Sequence, residues 1–211
     1  MSKLEELATA VTKGKSKLVP NLVKECLAEG IEPTTILNVG MIDAMGIVGE
    51  KFKNNEIFVP EMLVAARAMK KGVEVLKPAM AGDSSVSIGK YVLGTVAGDL
   101  HDIGKNLVGM MIESAGFEVI DLGVDVPKEK FIEAVKNDPE VKIVGLSALL
   151  TTTMPAMKET VEALIEAGCK NQVKIMVGGA PITQEFADEI GADCYTQDAA
   201  SAAAAAKALI A

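Results

Sequence analysis

Histidine is almost missing from this chain: among 211 residues there is one, His101. A zinc site built on several histidines, or a histidine pair relaying protons, is therefore excluded. Tryptophan is absent, and two tyrosines and five phenylalanines are the only aromatic residues, which leaves little for stacking on exposed bases. The three cysteines, Cys26, Cys169 and Cys194, are odd in number and lack a CxxC pair, so they read as buried thiols rather than zinc ligands or an exchange couple. Positive charge is also in deficit. A net charge of -8 argues against a phosphate-backbone binder, which concentrates Lys and Arg, and no nucleic-acid partner is expected. No uncharged apolar run reaches the length of about 18 residues that spans a bilayer. The opening MSKLEELATA has two acids and no apolar run before a cleavage site, so no secretory signal is read there. The expectation is a cytoplasmic protein with no membrane contact.

What the chain does contain is core material, 49% hydrophobic residues against 24% charged. That excludes a disordered chain, and the length suits two modest domains. Up to about residue 80 the pattern is helical. Leu37, Met41, Ala44, Val48 and Phe52 recur at steps of three and four, predicting a helix over 34–52 that Thr34 or Thr35 can cap. Pro60 suits a first turn, and Met62, Leu63, Ala66, Met69, Val73 and Leu76 continue with helical spacing. Shorter helices near 3–12 and 16–29 complete a four-helix bundle. The Gly- and Ser-rich stretch AMAGDSSVSIGK reads as a linker, with a boundary at residue 84 and Gly82 as hinge material. The domains are therefore expected at 1–84 and 85–211.

Beyond the linker, β-rich runs alternate with helical patterns: YVLGTVAG, FEVIDLG, KIVGLSAL, VKIMVGG and a final ADCYT before the alanine-rich tail. Five alternations predict a Rossmann-like, flavodoxin-like, doubly wound parallel sheet of five strands covered on both faces. Ligands of such sheets bind beyond the carboxyl ends of the strands.

The first strand ends in Gly98-Asp99-Leu100-His101-Asp102-Ile103-Gly104. Neutral imidazole is a common metal ligand, and a carboxylate on its second nitrogen fixes the ring; Asp99 has the reach to do so. Equally, Asp99 is placed to cap the next helix, with His101 an ordinary loop residue. On these residues alone both readings stand. The loop is not a GxGxxG phosphate cradle, so a doubly wound nucleotide-binding protein has no support from that motif.

Asp99-x-His101-x-x-Gly104 resembles the cobalamin-binding fingerprint, and its other elements follow in order. Ser147-Ala148-Leu149 supplies the S-x-L element after residues 105 to 146, and Gly178-Gly179 the glycine pair after residues 150 to 177. The helical part, running into KFKNNEIFVPEMLVAARAMKKGVEVLKP, is similar to the cap of corrinoid carrier proteins of methyltransferase systems and of the cobalamin-binding region of methionine synthase. The resemblance covers nearly the whole chain, roughly residues 3 to 205. It implies cobalamin bound with its own base displaced and His101 as the lower ligand to cobalt. Asp99 would accept from the other imidazole nitrogen, and Thr153, six residues past Ser147, would complete a relay. Ser147, Leu149, Gly178 and Gly179 would line the slot for the displaced nucleotide tail, and Gly104 would admit it. Asp102, Ile103 and Thr151 would contact the cofactor, and Phe58 and Met62 on the cap would cover the ring.

The function so implied is a methyl shuttle with no catalytic residue of its own. A substrate-specific methyltransferase would load methylcobalamin or a related corrinoid, and a corrinoid:acceptor methyltransferase would pass the methyl to a folate or thiol. A reductive activase is a further expected partner, and a methylamine or betaine the expected donor. Two alternatives come from other classes. The B12-binding subunit of a radical mutase shares the fingerprint but lacks the cap, and a B12-dependent sensory module would need a DNA-binding segment ahead of it.

Overall fold

The computed structural model of the chain describes residues 2–80 and 87–211. It divides into two compact units: Met1–Ile88 with Ser114–Gly116, and Gly89–Glu113 with Phe117–Ala211. The expected boundary at residue 84 and the hinge at Gly82 lie outside the described residues.

The first unit is helical. Helix α1 (Lys3–Thr12) opens on a capping box, in which the Ser2 hydroxyl accepts from the Glu5 N–H and the Glu5 carboxylate accepts from the Ser2 N–H. Helix α2 (Val19–Ala28) follows, with Pro20 in its first turn. The helix expected over 34–52 spans 33–53 in three pieces: α3 (Pro33–Leu37), a π-helical turn (Asn38–Ile42) and α4 (Asp43–Lys53). Helix α5 (Val59–Leu76) is the longest, and Gly72 lets it approach closely, since a Cβ there would press on Met41 and Val19. Leu7, Val11, Val23, Ile36, Val48, Met62 and Leu76 are fully buried. Burying such side chains at about 1.5–3 kcal/mol each stabilises helices that would be marginal alone.

The second unit alternates strands β1 (Lys90–Thr95), β2 (Glu118–Asp121), β3 (Val141–Ser147), β4 (Lys174–Gly178) and β5 (Cys194–Tyr195) with helices α6 (Ile103–Ser114), α7 (Lys128–Asn137), α8 (Met154–Glu166), α9 (Gln184–Ile190) and α10 (Ala199–Ile210). All strand pairs are parallel, in the order β2-β1-β3-β4-β5. The central strands are near-continuous apolar runs because both faces are covered, with Val92, Val144, Ile175, Phe131, Met157 and Val161 in one core. The chain leaves β1 toward one side of the sheet and β3 toward the other. A crevice therefore opens beyond the carboxyl ends of these two strands. Among the described residues, no helix is long and apolar enough to cross a membrane.

Candidate functional site

Register brings the three motif elements to one edge. Thr95 pairs with Ser147, and Ser147 with Gly178, so the loops that follow β1, β3 and β4 start side by side. Gly179 has φ +140°, and a Cβ there would collide with the Ala148 carbonyl; Gly179 thus permits the close approach of the backbones after β3 and β4. At Gly178 a Cβ would meet only the Thr196 carbonyl, at 3.7 Å.

Asp99 is the hub of this edge. It is completely buried, yet its carboxylate accepts four hydrogen bonds. Oδ1 receives the His101 N–H at 3.1 Å and His101 Nδ1 at 2.7 Å; Oδ2 receives the Leu149 N–H at 2.8 Å and the Thr153 hydroxyl at 2.7 Å. Burial by itself would raise the carboxyl's proton affinity, but the bonds from Leu149, Thr153 and His101 outweigh it and hold Asp99 well below the usual carboxylate range. The acid is therefore ionised, and His101 Nδ1 must carry the proton between them.

With Nδ1 so engaged, the remaining nitrogen of His101, Nε2, is the lone-pair donor. The side chain is 49% exposed, and its loop is fixed by Thr95, whose hydroxyl donates to the His101 carbonyl at 2.9 Å. Around it stand apolar side chains that water ordinarily disfavours: Ile103 is 86% exposed and Leu100 71%, with Leu149 and Leu150 also exposed. Gly104 has open space where a Cβ would sit, so chain packing does not explain it.

The donor set limits what can bind. Among the described residues no group of three or more His, Cys, Asp and Glu could hold a metal ion. His101 offers one bond only. A bare ion would be under-ligated, whereas a metal already held in a macrocycle needs one axial donor, an apolar surface and a gap in the backbone. The residues present fit a corrinoid.

The other expected site residues fall into three groups. Ser147 is half-buried at the end of β3, and Thr151 is exposed in the turn before α8. Asp102 is exposed and accepts from the Asn106 side-chain amide at 3.1 Å, so it is partly committed to its own helix turn. Phe58 and Met62 belong to the helical unit, and they part company. Met62 is fully buried among the helices of that unit. Phe58 precedes α5 in extended backbone and is 64% exposed, whereas Met62 sits within the helix on its inward face. The fingerprint missed Leu100 and Leu150, and also the Leu149 N–H, a main-chain donor that leaves no mark in a side-chain pattern.

Comparison with known proteins points to the same class of cofactor. Residues 89–207 match a family model described as B12 binding domain, and residues 3–77 match a second model of that description. The chain is 46% identical over 209 residues to dimethylamine corrinoid protein 1 of Methanosarcina acetivorans, covering 99% of this chain and 97% of that one. To the trimethylamine corrinoid protein of Methanosarcina barkeri it is 45% identical over 203 residues, 95% of this chain and 93% of that one. Among solved structures, the methanol:cobalamin methyltransferase complex of Methanosarcina barkeri contains a chain matched with a TM-score of 0.86 at 31% identity, over 99% of this chain and 79% of that one.

Proposed function

Because the chain belongs to the B12-binding corrinoid proteins, we propose that it carries a corrinoid ligated through His101 and passes a methyl group between two methyltransferases. The observation that carries this reading is the Asp99–His101 pair: a buried, ionised carboxylate holds Nδ1–H at 2.7 Å and leaves Nε2 free on an exposed apolar face. Bound there, the corrinoid supplies a cobalt centre able to take up and release a methyl group.

The chain's own part is ligation, orientation and shelter. Asp99 keeps the proton on Nδ1 and raises the donor strength of Nε2. Thr153 and the Leu149 N–H hold the Asp99 carboxylate on its Oδ2 side. Leu100, Ile103, Leu149 and Leu150 offer apolar contact to the ring, and Gly104 leaves the backbone open to the displaced tail. Ser147, Gly178 and Gly179 line the slot for that tail, with Asp102 and Thr151 at its rim.

Likeness to the dimethylamine and trimethylamine corrinoid proteins supports a methylamine as the donor, loaded by a substrate-specific methyltransferase. The further partners would be a corrinoid:acceptor methyltransferase acting on a thiol or folate, and a reductive activase. The setting is cytoplasmic. The test is reconstitution: purified chain incubated with cobalamin, freed of excess and mixed with a methylamine methyltransferase and each methylamine. Retention of about one corrinoid per chain with donor-dependent methylation supports the reading; a chain that emerges colourless contradicts it.

A further inference from the structure

The carboxylate of Asp99 is tied to the segment after β3, but the peptide that carries it is gripped from the other side. Asp125, in the loop between β2 and α7, accepts the Gly98 N–H on Oδ1 at 2.7 Å. Its own N–H donates to the Asp99 carbonyl at 2.9 Å. The same loop continues the grip on β1, since the Thr95 N–H donates to the Gly123 carbonyl and the Val126 N–H to the Thr95 carbonyl, both at 3.0 Å. Its start is braced too. Asp121 pairs with Lys105 at 2.6 Å, and that lysine, almost wholly buried, also donates to Asn106 Oδ1 at 2.8 Å. Asp125 itself stands at φ +51°, a left-handed backbone that aspartate and asparagine adopt more readily than other side chains. A non-glycine residue in that conformation, making two hydrogen bonds to the peptide beside a functional pair, is an outlier with a purpose.

We propose that Asp125 is a positioning residue for His101, clamping the Gly98–Asp99 segment at the Gly98 N–H and the Asp99 carbonyl so that the Asp99 carboxylate meets Nδ1 and leaves Nε2 free. The physical need is rotational. Gly98 has φ +80°, a conformation with little side-chain restraint, and a carboxylate tethered on one side only would let the Asp99–His101 turn pivot about it. Anchoring the peptide on the β2 side as well removes that freedom. The role rests on His101 as corrin ligand, but its test does not need the corrinoid.

The chain has a single histidine, so labelling histidine with nitrogen-15 makes its ring the sole imidazole signal in the spectrum of the full, corrinoid-free protein. At alkaline pH, where the ring is neutral, the spectrum separates the Nδ1–H and Nε2–H tautomers. Wild type is expected almost wholly as Nδ1–H, and Asp99→Asn serves as the variant known to touch the pair directly. Asp125→Gly keeps the left-handed backbone and removes the carboxylate; the tautomer ratio should fall on the order of tenfold, the scale of a lost hydrogen bond to a charged group. Asp125→Asn keeps a weaker, neutral acceptor and should recover most of the ratio, leaving a fall of about threefold. A folded glycine variant with the wild-type ratio overturns the clamp. Should that variant not fold, an unchanged ratio in Asp125→Asn overturns it equally. If the ratio falls while cobalt in the loaded wild type carries the cofactor's own base, the clamp stands and the ligation reading fails.

Discussion

The two ends of the parallel sheet each hold a charged contact of the same length, and they do opposite things. At the amino end, Lys90 lies 2.7 Å from both Asp138 and Glu140, and the Glu140 N–H donates to Asp138. There one lysine is shared by two acids, with Lys90 and Asp138 part-buried and Glu140 exposed, and the contact joins the start of β1 to the segment before β3. At the carboxyl end, Asp99 and His101 are also 2.7 Å apart, but the acid is fully buried and saturated while the imidazole keeps one nitrogen unspent beside exposed leucines and an isoleucine. A short charged contact alone does not make a site. What distinguishes one is a donor whose orientation is enforced and whose remaining valence points outward.

That contrast sets the order of predicted effects. The largest is qualitative: His101→Gly should abolish any protein nitrogen on cobalt while lowering the unfolding free energy in urea by no more than about 2 kcal/mol, since one hydrogen bond to the Asp99 carboxylate is lost from a half-exposed ring. Next, Asp99→Ala removes the buried acceptor and strands the Leu149 and His101 N–H groups, while the Thr153 hydroxyl keeps the Leu150 carbonyl, so unfolding in urea should show a loss of about 3 kcal/mol together with weakened ligation. Thr153→Val takes away one of the four bonds and should cost about 1 kcal/mol in the same measurement, with Thr153→Ser close to wild type.

The smallest effect belongs to the amino end. The Lys90 ammonium first, then the Glu140 N–H, hold the Asp138 carboxyl below its usual range. A depressed carboxylate stabilises the fold above its ordinary titration near about pH 4 and loses that contribution as pH falls through the depressed value. The stability gap between wild type and Asp138→Asn should thus be present at neutral pH and close in acid, with corrinoid ligation untouched. Ligation that weakened in this variant would break the comparison between the two ends.

Much of this arrangement was legible before folding. The alternation of β-rich and helical runs predicts the parallel sheet, and the DxHxxG, SxL and GG spacings place Asp99, Ser147 and Gly178 at strand ends that the register aligns. The hydroxyl of Thr153 lies against Asp99 at 2.7 Å. Three things escaped for physical reasons. The π-helical turn at Asn38–Ile42 keeps the same three- and four-residue apolar steps as an α-helix, so periodicity cannot show it. Met62 and Phe58 share a helical spacing, but Phe58 precedes the helix and its backbone is extended. The grip of Asp125 joins residues far apart in sequence, and what it holds on Gly98 and Asp99 are main-chain atoms, which carry no residue-type signature.

The central claim, that His101 is the axial ligand, is tested most directly by electron paramagnetic resonance of the chain loaded with cobalamin, reduced to Co(II) and carrying nitrogen-15 histidine. The account predicts that the nitrogen splitting of the cobalt lines changes from a triplet to a doublet, because the one histidine of the chain supplies the nitrogen. A splitting that stays a triplet, from the cofactor's own base, would contradict it.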